Sequence, residues 1–180
     1  MAALQLLGMK HSGKSTLGSL AARKLGWGFA DLDTLLEQEH PGLHHLTSRE
    51  IYRELGRETF QAYEAQAASK VAPRLQQGSL VLAWGGGTAT NPAAVQALRP
   101  HGLLVLLDER AELLYERIQR GGLPAFLSKD HPWEDFQRLY SERMALMAGL
   151  AAHRLVLGGA GVEASLSRLM QILEGELHAR

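Results

Sequence analysis

This sequence predicts an α/β domain, a three-layer sandwich in which five parallel strands carry helices on both faces. Two runs, residues 80–84 and 103–107, are apolar throughout, as strands covered on both sides must be. Stretches with helical spacing lie between the apolar runs, and strands that alternate with helices build a parallel sheet. Glycines follow several of the strands, where turns into helices are expected.

Residues 3–7 form the first strand, which ends at Gly8. Over 15–25, Leu17, Leu20, Ala21 and Leu25 share one helical face, and Gly26 stops the helix. Residues 28–33 read as the second strand and 33–39 as a short helix, broken by His40-Pro41-Gly42. A long helical zone covers 47–72; Thr47 or Ser48 caps it and Glu50 lies in its first turn. The third strand, 80–84, runs into Gly85-Gly86-Gly87 and a helix over 92–98. The fourth strand, 103–107, precedes a helix over 110–119. Gly121, Gly122, Pro124 and Pro132 mark 120–133 as a loop. A helix over 133–152, a last strand over 154–157 and a last helix over 162–177 follow. There is no internal repeat.

At 180 residues the chain is sized for one domain, 1–180, large enough to bury a core without staples. Its 19 basic residues are balanced by 19 acidic ones, which excludes a general binder of nucleic acid or membrane surfaces. The absence of cysteine removes disulfides, thiolate metal sites and a cysteine nucleophile. The opening apolar run is too short for a secretion signal, and no run of about 18 apolar residues exists. The expectation is a cytoplasmic monomer with no nucleic-acid or membrane partner.

The chemistry enters with Gly8-Met9-Lys10-His11-Ser12-Gly13-Lys14-Ser15, which is G-x-x-x-x-G-K-S between the first strand and the first helix. Glycines let such a loop bend around an anion. Its backbone N–H groups and the helix N-terminus then face phosphate oxygens. Lys14 supplies a point charge to the outer phosphates, and the Ser15 hydroxyl is placed to ligate Mg²⁺ beside them. Lys10, His11, Ser12, Gly13, Lys14, Ser15 and Thr16 are thus the expected nucleotide-binding residues, with Arg120 at the end of the fifth helix as a further candidate. A GTPase would need Asn-Lys-x-Asp, yet the one asparagine is Asn91, in Thr-Asn-Pro. The Ser-Gly-Gly-Gln signature of transporter-type ATPases is also missing. A small kinase with a soluble acceptor remains.

Asp31-Leu32-Asp33 closes the second strand, and alternate strand residues share a face, so both carboxylates are expected to face the crevice. One would hold the magnesium shell, with Ser15, and the other would accept a hydrogen bond from the acceptor hydroxyl. Gly85, Gly86 and Gly87 would let a ligand approach the backbone. His40, His44 and His45 lack zinc-ligand spacing and read as a solvated loop. Trp84 reads equally as a stacking platform or as strand core; Tyr115 and Met147 read as core, and Trp133 as an anchor for the loop before it.

The loop at 8–16, Asp31-Leu32-Asp33 and Gly85-Gly86-Gly87, in this order, resemble the shikimate kinase family of small P-loop kinases. The resemblance implies a P-loop NTPase sandwich with a mobile lid over about 117–134 and a substrate-binding helical region over about 34–72. It implies ATP and Mg²⁺, a small hydroxylated acceptor, and phosphorylation of shikimate to shikimate 3-phosphate in aromatic amino acid biosynthesis. Lys14, Asp33 and Asp31 would then be catalytic, with Asp33 on the shikimate hydroxyls and Asp31 near the magnesium. Arg143, in Ser-Glu-Arg-Met, resembles the arginine that grips the substrate carboxylate. The stretch containing Ile51, Tyr52, Gly56, Phe60 and Glu64 matches the family's substrate helix.

Five positions depart from the family pattern. Gln61 stands where the helix carries a second carboxylate-gripping arginine, and Leu123 where the lid carries its arginine. His11 replaces a loop glycine, Met147 a tyrosine, and Gly158-Gly159-Ala160-Gly161 lacks the usual arginine. Arg57, one turn before Gln61, is the expected replacement in the acceptor pocket, so Gln61 and Arg57 both belong to the substrate set. Three readings stay open from the residues: a shikimate kinase, a kinase of another hydroxy acid or polyol, and a nucleotide-binding regulator that has lost turnover.

Overall fold

The structure is a computed structural model that describes residues 3–39, 46–120, 127–128 and 130–178. Five strands form one parallel sheet: β1 (Leu4–Leu7), β2 (Gly28–Asp31), β3 (Leu80–Ala83), β4 (Leu103–Asp108) and β5 (His153–Val156). Their spatial order is β2-β3-β1-β4-β5. β1 pairs with β3 through Leu6 opposite Ala83, and with β4 through Leu6 opposite Val105. The chain runs from β1 out to β2 on one side, then returns across β1 to β4 on the other. That reversal opens a crevice beyond the carboxyl ends of β1 and β3.

The helices are α1 (Lys14–Leu25), α2 (Leu32–Glu39), α3 (Ser48–Gln77), α4 (Pro92–Leu98), α5 (Ala111–Arg120), α6 (Pro132–Leu150) and α7 (Val162–His178). The sheet separates two apolar layers. Against one face, Leu7, Leu82 and Leu106 pack with Leu36 of α2, Ala67, Val71 and Leu75 of α3, Leu98 of α4 and Phe136 of α6. Against the other, Leu4, Leu6, Val81 and Val105 pack with Leu17 and Ala21 of α1 and Leu169 and Leu173 of α7. Covered strands on both sides are what the apolar runs require.

One polar side chain lies inside this packing. Gln5 on β1 is fully buried; its Oε1 accepts from the Trp84 indole at 2.8 Å, and its Nε2 donates to the carbonyls of Leu98, at 2.9 Å, and His101. Trp84 is therefore core, 2% exposed. Tyr115 and Trp133 meet edge-on at 4.9 Å and extend the aromatic packing around Phe136.

Two expectations about elements need correction. β2 ends at Asp31 and α2 begins at Leu32, so Asp33 lies in the first turn of a helix rather than on the strand. The Asp31 side chain accepts from the Asp33 N–H at 3.0 Å, and the helix starts one residue earlier than expected. The long helix does begin with a reciprocal cap between Thr47 and Glu50. It is not continuous, however: Gly56 takes φ 77°, ψ 174°, a backbone state essentially reserved for glycine, and divides the helix after its second turn. It also continues beyond 72, through Pro73 to Gln77. Pro73 deprives only the carbonyl of Ser69 of a helix donor, and Ser69 is exposed to water. No helix among the described residues is long and apolar enough to cross a membrane.

Candidate active site

The loop between β1 and α1 is built by close approach. A Cβ on Gly8 would lie 2.6 Å from Ser12 Oγ and 2.9 Å from the Leu107 carbonyl, so no side chain fits there. His11, a non-glycine residue, holds φ 65° in the left-handed region, at roughly 1–2 kcal/mol. Gly13, at φ 92°, delivers the chain into α1. Lys14 is buried, and its Nζ donates to the carbonyls of Gly8 and Met9, both at 2.9 Å. Burial lowers its pKa to about 8; the nearby carboxylates of Asp33 and Asp31 oppose that shift, while Lys10 and Arg143 add to it. The Ser12 hydroxyl is buried and has no partner among the described residues.

The two aspartates share the crevice, though not by strand alternation. Asp31, at the end of β2, accepts from the Ser15 hydroxyl at 2.5 Å. Asp33 comes in from the first turn of α2. Its pKa is pushed up to about 6, chiefly by burial and further by Asp31, against the pull of Lys14.

The glycines after β3 sit where these groups converge. A Cβ on Gly85 would lie 2.6 Å from Asp33 Oδ1, 2.9 Å from Thr88 Oγ1 and 3.1 Å from Glu64 Oε1. On Gly86 it would press at 3.1 Å on the Lys10 backbone nitrogen, and on Gly87 it would touch the Arg143 guanidinium at 3.6 Å. Arg143 Nη1 donates to the Gly86 carbonyl at 3.1 Å, while its buried Nε has no partner among the described residues. Burial lowers the Arg143 pKa, opposed by Tyr52 and Glu64 and aided by Arg57.

Of the two α3 residues expected in the substrate set, Gln61 and its expected replacement Arg57, neither lines the crevice. Gln61 spends its amide on the Thr90 carbonyl at 3.3 Å. Arg57 is exposed, near enough to Arg143 to affect its charge. A residue not singled out for the site, Glu64, is 2% exposed and accepts from Thr88 Oγ1 at 2.6 Å and Asn91 Nδ2 at 2.8 Å. Burial raises its pKa; those two bonds and Arg143 oppose the rise. The available signal was an acidic side chain on the helix face that also presents Phe60, Ala67, Ala68 and Val71.

The crevice encloses about 560 Å³ and is lined by loop residues 10, 11 and 13–16, Asp31, Asp33, Trp84, which borders it from the core, Gly86 and the two α5 arginines, Arg117 and Arg120. A smaller hollow of about 170 Å³, between Leu75, His101 and Leu173, contains none of these groups. Leu123 and most of the expected lid loop, and His40, His44 and His45, lie outside the described residues.

A family model described as shikimate kinase matches residues 10–174. This chain belongs to the shikimate kinase family. It is 36% identical over 178 residues to a shikimate kinase of Synechococcus sp. (strain RCC307), covering 98% of this chain and 86% of that one. It is 32% identical to the shikimate kinase of Chlamydia pneumoniae over 146 residues, 81% of each chain. Its fold is similar to that of a shikimate kinase from Acinetobacter baumannii solved in complex with shikimate, with a TM-score of 0.86 and 24% identity over 98% of this chain and 94% of that one. Family membership makes the chain an ATP-dependent phosphotransferase acting on a hydroxyl.

Proposed function

We propose that this chain phosphorylates shikimate to shikimate 3-phosphate, as a cytoplasmic monomer with no nucleic-acid or membrane partner. The observation that carries the reading is the glycine triplet, with the Asp33 carboxylate against Gly85 and the Arg143 guanidinium against Gly86 and Gly87. A small acid whose carboxylate pairs with Arg143 presents its ring hydroxyls toward Asp33. Arginine suits that role because its fork meets a carboxylate with two charge-assisted bonds.

Asp33 accepts the proton of the attacking hydroxyl oxygen, and its raised pKa places it near the range of a working base. Lys14, now satisfied by two carbonyls, turns its ammonium to the outer phosphates. The residues suit Mg²⁺: Ser15 and Asp31 offer adjacent oxygens, the hard donors that this ion takes beside phosphate. Bound there with phosphate, the ion would neutralise developing charge. Lys10, His11, Ser12, Gly13, Thr16 and Arg120 complete the nucleotide side.

Incubation with Mg-ATP and shikimate should give ADP and the phosphate ester in equal amounts. Lys14→Ala should abolish transfer, and Arg143→Ala should raise the shikimate KM by about tenfold or more with a smaller effect on the ATP KM. Gln61, turned to Thr90, favours a second reading in which the acceptor is an uncharged polyol. Faster turnover of a neutral polyol than of shikimate would establish that reading. Nucleotide binding with no transfer to either acceptor would overturn both.

A further inference from the structure

Glu109 follows β4 and is 2% exposed, yet it takes no part in the chemistry described above. Its Oε2 accepts from Arg117 Nη2 at 3.1 Å, and its Oε1 from the backbone N–H groups of Gly159, at 3.0 Å, and Arg110, at 3.1 Å. The same Arg117 donates through Nη1 to the carbonyl of His11 at 2.9 Å. One buried carboxylate thus joins the loop after β5, the helix α5 and the phosphate loop.

The carbonyl that Arg117 holds belongs to the one loop residue that has a side chain and a left-handed backbone. The peptide between His11 and Ser12 is fixed at both ends, because the Ser12 N–H donates to the Met9 carbonyl at 3.2 Å. Relaxation of His11 out of the left-handed region rotates the peptide planes beside it. Such a rotation breaks the Arg117 bond and frees a carbonyl to turn toward phosphate, where it repels.

We propose that Glu109 is a positioning residue for the nucleotide: through Arg117 it holds the phosphate loop in its binding shape, a constraint required because His11 stands where glycine would adopt that shape unaided. This rests on the crevice being the nucleotide site. Arg117 is the transmitting group and Glu109 its anchor. A charge-assisted bond from a buried carboxylate outweighs a neutral one, so an isosteric amide at 109 weakens the clamp without emptying the space.

The test is a double-mutant cycle read as the ATP dissociation constant and the KM for ATP. Glu109→Gln should raise both about tenfold and leave the shikimate KM and the unfolding temperature close to wild type. Arg117→Met, at the accessible end, should act likewise and carries the same test if Glu109→Gln fails to fold. In a His11→Gly background, the effect of either substitution, measured relative to His11→Gly alone, should shrink to about twofold or less. A direct contact of Arg117 with nucleotide would be lost equally in both backgrounds, so an undiminished effect overturns the proposal. Unchanged ATP affinity in both Glu109→Gln and Arg117→Met, with Lys14→Ala unable to bind ATP, overturns it as well and leaves the nucleotide site standing. If Lys14→Ala binds ATP like wild type, the nucleotide site itself falls.

Discussion

Asp33 titrates at about 6 in the folded chain and near 3.8 when unfolded. A raised carboxylate pKa means that the folded state holds the proton more tightly, so the ionised form opposes folding. The cost is absent below pH 3.8, grows between 3.8 and about 6, and is full above that window. With allowance for solvent screening at a half-buried group, it is on the order of 2 kcal/mol. Asp33→Asn should therefore raise the unfolding temperature at pH 7 by several degrees, and calorimetry should show that gain vanishing below about pH 4. The same substitution should lower kcat by about 10²–10⁴, and in the unsubstituted enzyme kcat should fall as pH drops through about 6. A melting gain that persists unchanged at pH 3 would disprove the burial argument. Asp31, Asp33, Lys14 and Ser15 were legible because each sits in a short contiguous motif. Glu64 was not, because its role comes from Thr88 and Asn91, which only the folded chain brings to it.

Gly56 shows the corresponding limit for an element. Helical periodicity over 47–72 passes through it unmarked, since one residue barely alters an apolar stripe. In the fold it separates the first two turns of α3, which carry the buried Ile51 and the exposed Tyr52, from the rest of the helix. Tyr52 meets Phe60 edge-on at 5.5 Å across this break and lies close enough to Arg143 to affect its charge. A Cβ at Gly56 would meet nothing within 4 Å, so its backbone conformation, not space, demands glycine. Gly56→Ala should destabilise by about 1–3 kcal/mol or straighten the helix. Straightening moves Tyr52 away from Phe60 and Arg143, so the shikimate KM should rise while the ATP KM holds. Equal changes in both constants would show that the break serves the fold at large and not the acceptor side.

The five strands, their parallel sense and the helices on both faces followed from pattern, because a strand covered twice must be apolar throughout. The spatial order β2-β3-β1-β4-β5 did not, since crossover connections leave no trace in periodicity. Nor did the reason for a glutamine within the first strand. Gln5 joins β1 to Trp84 and to the end of α4, and Gln5→Leu would leave the indole N–H buried without its partner and the Leu98 carbonyl with the His101 N–H alone. That should lower the unfolding free energy by about 1–3 kcal/mol, measured in urea, with the KM values unchanged. An unaltered midpoint would mean that the indole is satisfied elsewhere. The sheet that Gln5 crosses also has a consequence for descent. α1, which opens from the phosphate loop, rests on one apolar layer, whereas α2, α3 and α4 rest on the other. The acceptor side can therefore drift, as at Gln61, without repacking the helix beneath the phosphates. A lineage built this way can change what it phosphorylates by altering one face of its sheet while inheriting intact the helix that opens from its phosphate loop.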